Sequence, residues 1–289
     1  MKYRSNLIKE LKNKTVLITG GAGSIGSALT KKLLEFPIRA VRVLDVNEHA
    51  LFLLKRSLND RRLRPFLGSI LDQERVDMAS NNVDIIIHTA AVKNIEITEF
   101  NPIETIEVNT IGTVNLIKTA IKIKPKKFLN VSTDKAVEPT TLYGTTKQLS
   151  ERLTSWAGAT SITTKFATIR FGNVIESRGN VFEIWQNELK NNKPLSITDQ
   201  SMRRYFFHLD EAVDAILESL PLIDKGEIIV PKMKVYSIKD LASKISKKHN
   251  LIGKRQGEKI VEVLLSKTER KNAIERKNLW IIKPYTKNF

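Results

Sequence analysis

The run "TVLITGGAGSIGSALTKKLLEF" (15 to 36) constrains the fold more than any other stretch of the chain. A short apolar segment ends in a glycine-rich turn, and apolar residues then recur at helical spacing. Gly20, Gly23 and Gly26, with Ser24 and Ile25 between them, stand where a strand hands over to a helix. Glycines there allow a tight turn and close backbone approach, while the helix N-terminus offers unpaired N–H groups and the positive end of its dipole to a pyrophosphate. A tight turn without a ligand shows the same residues, so the loop gains meaning from its context. That context is present: "AVRVLD" (40 to 45) reads as a second strand, and Asp45 closes it nineteen residues after Gly26. A carboxylate at that point accepts hydrogen bonds from ribose hydroxyls and repels a 2′-phosphate, which predicts NAD rather than NADP. Arg42, three residues earlier, weakens that preference.

The same alternation continues. "NEHALFLLKRSLND" reads as a helix, "VDIIIHTAA" (83 to 91) as a buried strand, "IETIEVNTIGTVNLIKTAIK" (103 to 122) as one long helix and "KFLNVST" (127 to 133) as a strand. A helix begins near Tyr143, and "FATIRF" (166 to 171) is a further strand. Runs this continuously apolar suit strands covered on both faces, so the expected fold is α/β, a Rossmann-type doubly wound parallel sheet with a smaller C-terminal substrate-binding lobe. After Gly172 the pieces become shorter and less regular. The expected division is therefore 1–172 for the dinucleotide-binding domain, with 203–231 returning to it, and 173–202 plus 232–289 for the substrate lobe. At 289 residues, with 41% hydrophobic and 27% charged residues, the chain is long enough for such a domain and a lobe.

Composition excludes several classes. No stretch reaches the roughly 18 apolar residues of a membrane span, and "MKYRSNLIKELKNK" lacks the apolar middle of a signal peptide, so a cytoplasmic location is expected. There is no cysteine and there are only four histidines, so neither disulfides nor a cysteine- or histidine-based metal site is expected. The 48 basic against 31 acidic residues leave a net charge of +17, but the lysines are scattered rather than gathered on one helix. The charge reads as a basic surface with a weak attraction to anionic membranes, not as a nucleic-acid site.

Tyr143 and Lys147 stand four apart, hence on one helix face, with Thr133 ten residues upstream at a strand end. A lysine ammonium beside a tyrosine, with a positive nicotinamide nearby, would stabilise phenolate and bring the phenol toward a working range. Tyr143 is then a base for a sugar hydroxyl and Thr133 its hydrogen-bonding partner. An isolated Tyr-x-x-x-Lys is more often an ordinary surface pair; the glycine loop and Thr133 give this one its weight.

With these residues in place, the chain resembles the extended short-chain dehydrogenase/reductases that act on nucleotide sugars. More narrowly it resembles the CapD-type polysaccharide biosynthesis proteins and, among them, the inverting UDP-N-acetylglucosamine 4,6-dehydratases. The likeness is carried in order by "TGGAGSIGS", "HTAAVKNIEITEFNPIETIEVNTIGTVN", "STDKAVEPTTLYGTTK", "RFGNVIESRGNVFEIWQNEL", "LSITDQSMRRYF", "GEIIVPKM" and "KRQGEKIVE", from about residue 12 to 265. The resemblance implies that Asp134 serves as acid and Lys135 as base in an elimination that follows oxidation at C4, with reprotonation of C5 from the other face. It places Ser69, Ile70, Ala90, Ala91, Lys93 and Asn109 on the cofactor side, Lys93, Asn173 and Arg178 toward the sugar, and Arg204 and Glu258 at the UDP diphosphate and ribose. Departures from the family pattern are Asn94 for His, Ser69 for Asp, Arg203 for Thr and Gln256 for Pro. Rival readings are a C4 epimerase, which has no need of Asp134 and Lys135, and, outside enzymes, a dinucleotide sensor or a nucleic-acid binder. The helices at 103–122 and 143–157 are expected to pair two copies in a homo-oligomer.

Overall fold

The computed structural model describes residues 2–284, with side chains from residue 4. Its strands are β1 (Thr15–Thr19), β2 (Ala40–Asp45), β3 (Leu63–Leu67), β4 (Ile85–His88), β5 (Lys127–Thr133), β6 (Lys165–Phe171), β7 (Asn173–Val174), β8 (Leu195–Ile197), β9 (Arg203–Phe207), β10 (Lys225–Pro231), β11 (Lys234–Ser237), β12 (His249–Leu251), β13 (Ile274–Glu275) and β14 (Leu279–Ile282). The main sheet runs β13-β14-β10-β6-β5-β4-β1-β2-β3. From β3 to β10 every neighbouring pair is parallel, and the β14 and β13 edge is antiparallel. The strand order reverses between β1 and β4, and in doubly wound sheets ligands bind at that switch, outside the carboxyl ends of the strands.

Both faces are covered, for a reason visible in the strand sequences. In "TVLIT", Val16 and Ile18 join one apolar cluster with Leu7, Leu11, Leu29, Leu33, Val213 and Leu217, while Leu17 joins another with Val76, Leu116, Ile117 and Ala157. Alternate residues point to opposite faces, so a strand buried on both must be apolar throughout. The helices Lys2–Leu11, Ser24–Leu33, Glu48–Leu58 and Leu209–Ser219 cover the first face. The helices Gln73–Ser80, Gly112–Ile123 and Leu142–Thr160 cover the second.

The lobe has its own small core of Trp185, Leu195, Ile197, Met202, Phe206, Ile238 and Ala242. It contains the sheets β11-β9-β7 and β12-β8.

Three details differ from the sequence reading. The stretch expected as one long helix is broken into Pro102–Ile106, a π turn Glu107–Ile111 and Gly112–Ile123. β9 pairs with β7 and β11 rather than joining the main sheet, so the returning segment is the helix Leu209–Ser219 and β10. β13 and β14, placed by sequence in the lobe, close the edge of the main sheet instead, because Leu279–Ile282 pairs antiparallel with Ile228–Pro231. Residues 285–289 of the expected lobe lie outside the described residues.

Candidate functional site

The glycine loop is built for close backbone approach. Gly20 has φ +65°, and a Cβ there would lie 2.6 Å from the Cα of Ala90, in the loop after β4. A Cβ on Gly26 would lie 2.4 Å from the Cα of Gly21, so the helix Ser24–Leu33 can start against the turn only without a side chain. Gly23 caps that helix and no side chain occupies its first N–H groups, the arrangement an anion requires. Asp45 sits beside the loop: Ala22 N–H and Asn47 N–H each donate to its carboxylate at 3.0 Å. The protein's glycines and acid thus fit a dinucleotide. Arg42 Nη1 donates to the carbonyls of Ala79 (2.8 Å) and Asn81 (2.6 Å).

Ser69 and Ile70 follow β3 in the loop whose Gly68 N–H donates to the Asp45 carbonyl at 3.0 Å. Ser69 Oγ accepts from Leu71 N–H, and Ile70 packs over Gly112. Asn109 lies on the π turn, buried, with its amide spent on others: its oxygen accepts from Val92 N–H (2.8 Å), and its nitrogen donates to the Val92 carbonyl (2.9 Å) and Thr146 Oγ1 (3.1 Å). It therefore clamps the loop bearing Lys93 onto the helix bearing Tyr143. π turns are frequent where a helix must aim such a side chain.

At the carboxyl end of β5 lies a cleft of about 610 Å³, within the range of ligand sites. Thr133, Lys135, Tyr143 and Lys147 line it together, with Ile25, Ala91, Lys93, Asn173, Arg178, Arg204 and Glu258. The remaining expected cofactor residues, Gly20, Gly23, Ser24, Gly26, Asp45, Ser69, Ile70, Ala90 and Asn109, are not part of its lining. Asp134 is also absent from that lining, and its side chain is fully buried. Thr133 Oγ1 donates to Asp134 Oδ1 at 3.1 Å, and Lys135 Nζ donates to the same oxygen at 3.0 Å. The second oxygen, Oδ2, has no hydrogen-bond partner among the described residues. Asp134 thus meets the cleft only through Thr133 and Lys135.

Burial dominates the electrostatics. It raises the Tyr143 phenol above its ordinary value; a hydrogen bond with Thr133 opposes this and the Asp134 charge reinforces it. The expected lowering by Lys147 is overridden, because removing phenolate from water outweighs the protein's own charges here. Lys147, buried, is pushed down to about 8 by desolvation, against the pull of Glu151. Lys93 is lowered by burial, with Glu183 opposing and Lys135 adding to the effect.

The substrate-side residues arrive on two separate pieces. Lys93 Nζ donates to the Arg178 carbonyl (2.9 Å), and Arg178 N–H donates to Ser24 Oγ (3.0 Å), so the loop after β7 bridges Lys93 and the glycine helix. Arg204 is buried and heavily engaged, donating to the carbonyls of Lys259 (2.9 Å) and Ile260 (3.0 Å) and to Glu258 Oε1 (3.3 Å). Asn94, the departure from His, caps the helix Ile95–Phe100 by accepting from Ile97 N–H.

Two residues escaped the sequence reading. His88, at the end of β4, is held between Thr19 Oγ1 (2.7 Å) and Thr113 Oγ1 (3.0 Å), and burial, with the Lys147 charge behind it, pushes it down to about 3. Glu262 is buried 3.9 Å from Lys135 Nζ. The only sequence hint for Glu262 was its membership of "KRQGEKIVE", since nothing in spacing brings residue 262 to residue 135.

The sequence profile of a polysaccharide biosynthesis protein family matches residues 16–284. A protein of Methanocaldococcus jannaschii named only as an uncharacterized membrane protein is 39% identical, over 95% of this chain and 87% of its own length. Among the described residues of the present chain, no helix is long and apolar enough to cross a membrane. An inverting UDP-N-acetylglucosamine 4,6-dehydratase of Campylobacter jejuni is 36% identical (95% of this chain, 84% of the relative), and a UDP-glucose 4-epimerase of Rickettsia bellii is 33% identical (93% and 83%). The solved structure of Pen from Bacillus thuringiensis superposes with a TM-score of 0.91 at 36% identity, over 95% of this chain and 89% of that one. With its Rossmann-type sheet, its glycine loop and a profile match over nearly its whole length, the chain belongs to this family of polysaccharide biosynthesis proteins.

Proposed function

We propose that the chain is a cytoplasmic, NAD-dependent UDP-sugar 4,6-dehydratase, acting on UDP-N-acetylglucosamine with inversion at C5 to supply surface polysaccharide or glycan synthesis. The observation that carries this is the cluster at the end of β5, where Thr133, Lys135, Tyr143 and Lys147 line one cleft and Asp134 bonds to Thr133 and Lys135. When bound, the nicotinamide supplies the acceptor for hydride from C4 and its donor to C6. Tyr143 takes the proton of the C4 hydroxyl, and Thr133 holds that hydroxyl. Lys135 removes the C5 proton, made acidic by the C4 ketone. Asp134 supplies the proton for the departing C6 hydroxyl through Thr133 or Lys135, the two groups it touches. Asp45, with Arg42 turned away, favours NAD over NADP. Arg204 and Glu258 face the nucleotide end of the cleft.

The second reading, a C4 epimerase, is supported by the relatives that bear that name. It leaves the Asp134–Lys135 pair without a task. Incubation with UDP-N-acetylglucosamine in heavy water separates the two. A dehydratase yields a 4-keto-6-deoxy sugar, lighter by one water before isotope correction and labelled at C5; an epimerase yields an isomer of unchanged mass without that label. Seeing only the isomer would sink the first reading. We also propose that the chain self-associates through the exposed faces of the helices around 95–123 and 142–160.

A further inference from the structure

We infer that Glu262 is a positioning residue for Lys135 in C5 proton transfer. The inference rests on the dehydratase reading. Lys135 has a long, flexible stem and three N–H donors to place. Asp134 Oδ1 takes one at 3.0 Å and Asn173 Oδ1 another at 3.3 Å, while Glu262 Oε1 lies at 3.9 Å from the same nitrogen. Asp134 is Lys135's neighbour in sequence, and Asn173 follows β6. Glu262 comes from much further along the chain, so its approach is a product of the tertiary fold.

A buried carboxylate is costly unless its surroundings compensate it. The Glu262 side chain is 5% exposed, and its two oxygens face two lysines: Oε1 faces Lys135, and Oε2 lies 3.6 Å from Lys259 Nζ, too far for a hydrogen bond. Lys259 is already anchored, donating to the Val137 carbonyl at 2.6 Å. Glu262 therefore bridges the anchored lysine and the one that faces the cleft.

When Lys135 acts as a base, the C5–H bond breaks and its electron pair becomes the C4–C5 enolate, with the charge on O4. The proton goes to the Lys135 nitrogen, which becomes cationic. The fixed Glu262 carboxylate, 3.9 Å from that nitrogen, stabilises the charge as it develops without having to reorganise, while Asp134 keeps the proton for the later step. Expulsion of the C6 hydroxyl with one proton then releases water.

The strap from 257 to 262 is tied at both ends of the reaction. Thr140 Oγ1 donates to the Gly257 carbonyl (2.6 Å), and the Lys259–Val137 bond holds the same strap to the turn that bears Lys135. On its other side, Arg203 N–H and Arg204 donate to Ile260 and Lys259 carbonyls.

The test compares the wild-type protein with Glu262→Gln, which keeps shape and removes charge. In heavy water with UDP-N-acetylglucosamine, deuterium uptake at C5 should fall roughly tenfold or more, the scale of one charge-assisted contact. Nicotinamide reduction in a single turnover should stay within about threefold of wild type. Without sugar, the ¹³C resonance of the Lys135 ε-carbon, identified by its loss in Lys135→Met, should move in Glu262→Gln. A purely structural role would lower both rates together and leave that resonance in place; that outcome, or C5 uptake at the wild-type rate, overturns the inference. If Glu262→Gln does not fold, Glu262→Asp, which keeps the charge but shortens the arm, is read on the same ratio. An unlabelled isomer from the wild-type protein is a separate outcome, which overturns the dehydratase reading and this role with it.

Discussion

Tyr143 and Lys147 occupy one face of the helix Leu142–Thr160; Lys147 is buried, and Tyr143 is half-buried in the wall of the cleft. Desolvation disfavours the phenolate that would take the C4 hydroxyl proton, so Tyr143 depends on its placement beside Thr133 and one turn from Lys147. Tyr143→Phe should fold and bind UDP-sugar yet lose at least ~10²-fold in turnover, the scale of a general base. Turnover near the wild-type level would remove Tyr143 from the reaction. His88 offers a test independent of catalysis. It is neutral when folded, with a pKa of about 3 against an ordinary 6.5, so between those values the unfolded chain binds the extra proton. Its contribution is present above about pH 6.5 and is lost as the pH falls toward 3. His88→Asn should therefore flatten the decline of Tm between pH 7 and pH 4.5; an unchanged slope would assign that decline to other groups.

The helix bearing the Tyr–Lys pair is held in place by a buried ion network. Arg170 on β6 donates to Glu151 Oε1 (2.9 Å) and Oε2 (2.7 Å) on that helix, and to both oxygens of Glu269 (3.0 and 2.9 Å) on the helix Lys267–Asn272. One guanidinium thus joins the central sheet, the helix bearing Tyr143 and Lys147, and the helix Lys267–Asn272. Arg170→Met would remove the buried cation from Glu151 and from Glu269, which keeps Ser266 N–H at 2.9 Å, so a loss of roughly 3–5 kcal/mol in denaturant unfolding is expected. A loss under about 1 kcal/mol would mean that the carboxylates find other partners. Gly172, just past β6, is constrained from the other side: a Cβ there would lie 2.7 Å from Tyr205 Cβ and 3.1 Å from Asp134 Oδ2. Gly172→Ala should therefore lower stability and disturb the Asp134 corner together, seen as a lower Tm with reduced turnover.

At the scale of the whole molecule, exposed apolar residues lie on the helices that flank the cleft. Phe100 is 86% exposed, and Ile103, Ile106, Ile111, Leu149 and Trp156 are exposed near it in sequence or on the adjoining helix. Exposed apolar groups of this kind suit the self-association proposed above. Light scattering should show a dimer or larger species, and Phe100→Glu with Trp156→Glu should shift it toward the monomer. A wild-type monomer at micromolar concentration would reject self-association through this face.

What the sequence determined by itself was the part governed by local periodicity and by short motifs. Continuous apolar strands alternating with amphipathic helices imply a doubly wound sheet, and the glycine loop with Asp45 implies its ligand end. Tyr143 and Lys147 were legible because four residues make one helical turn. The antiparallel edge of β13 and β14 was not, since pairing across the chain leaves no periodic trace. Nor was the burial of Asp134 behind Thr133 and Lys135: a hydrophilic Asp-Lys pair reads as exposed until packing encloses it. Glu262 reaches Lys135 only through the path of the strap over Thr140 and Val137. Such contacts join residues more than a hundred positions apart, so only the tertiary structure decided which carboxylate stands beside the cleft's lysine.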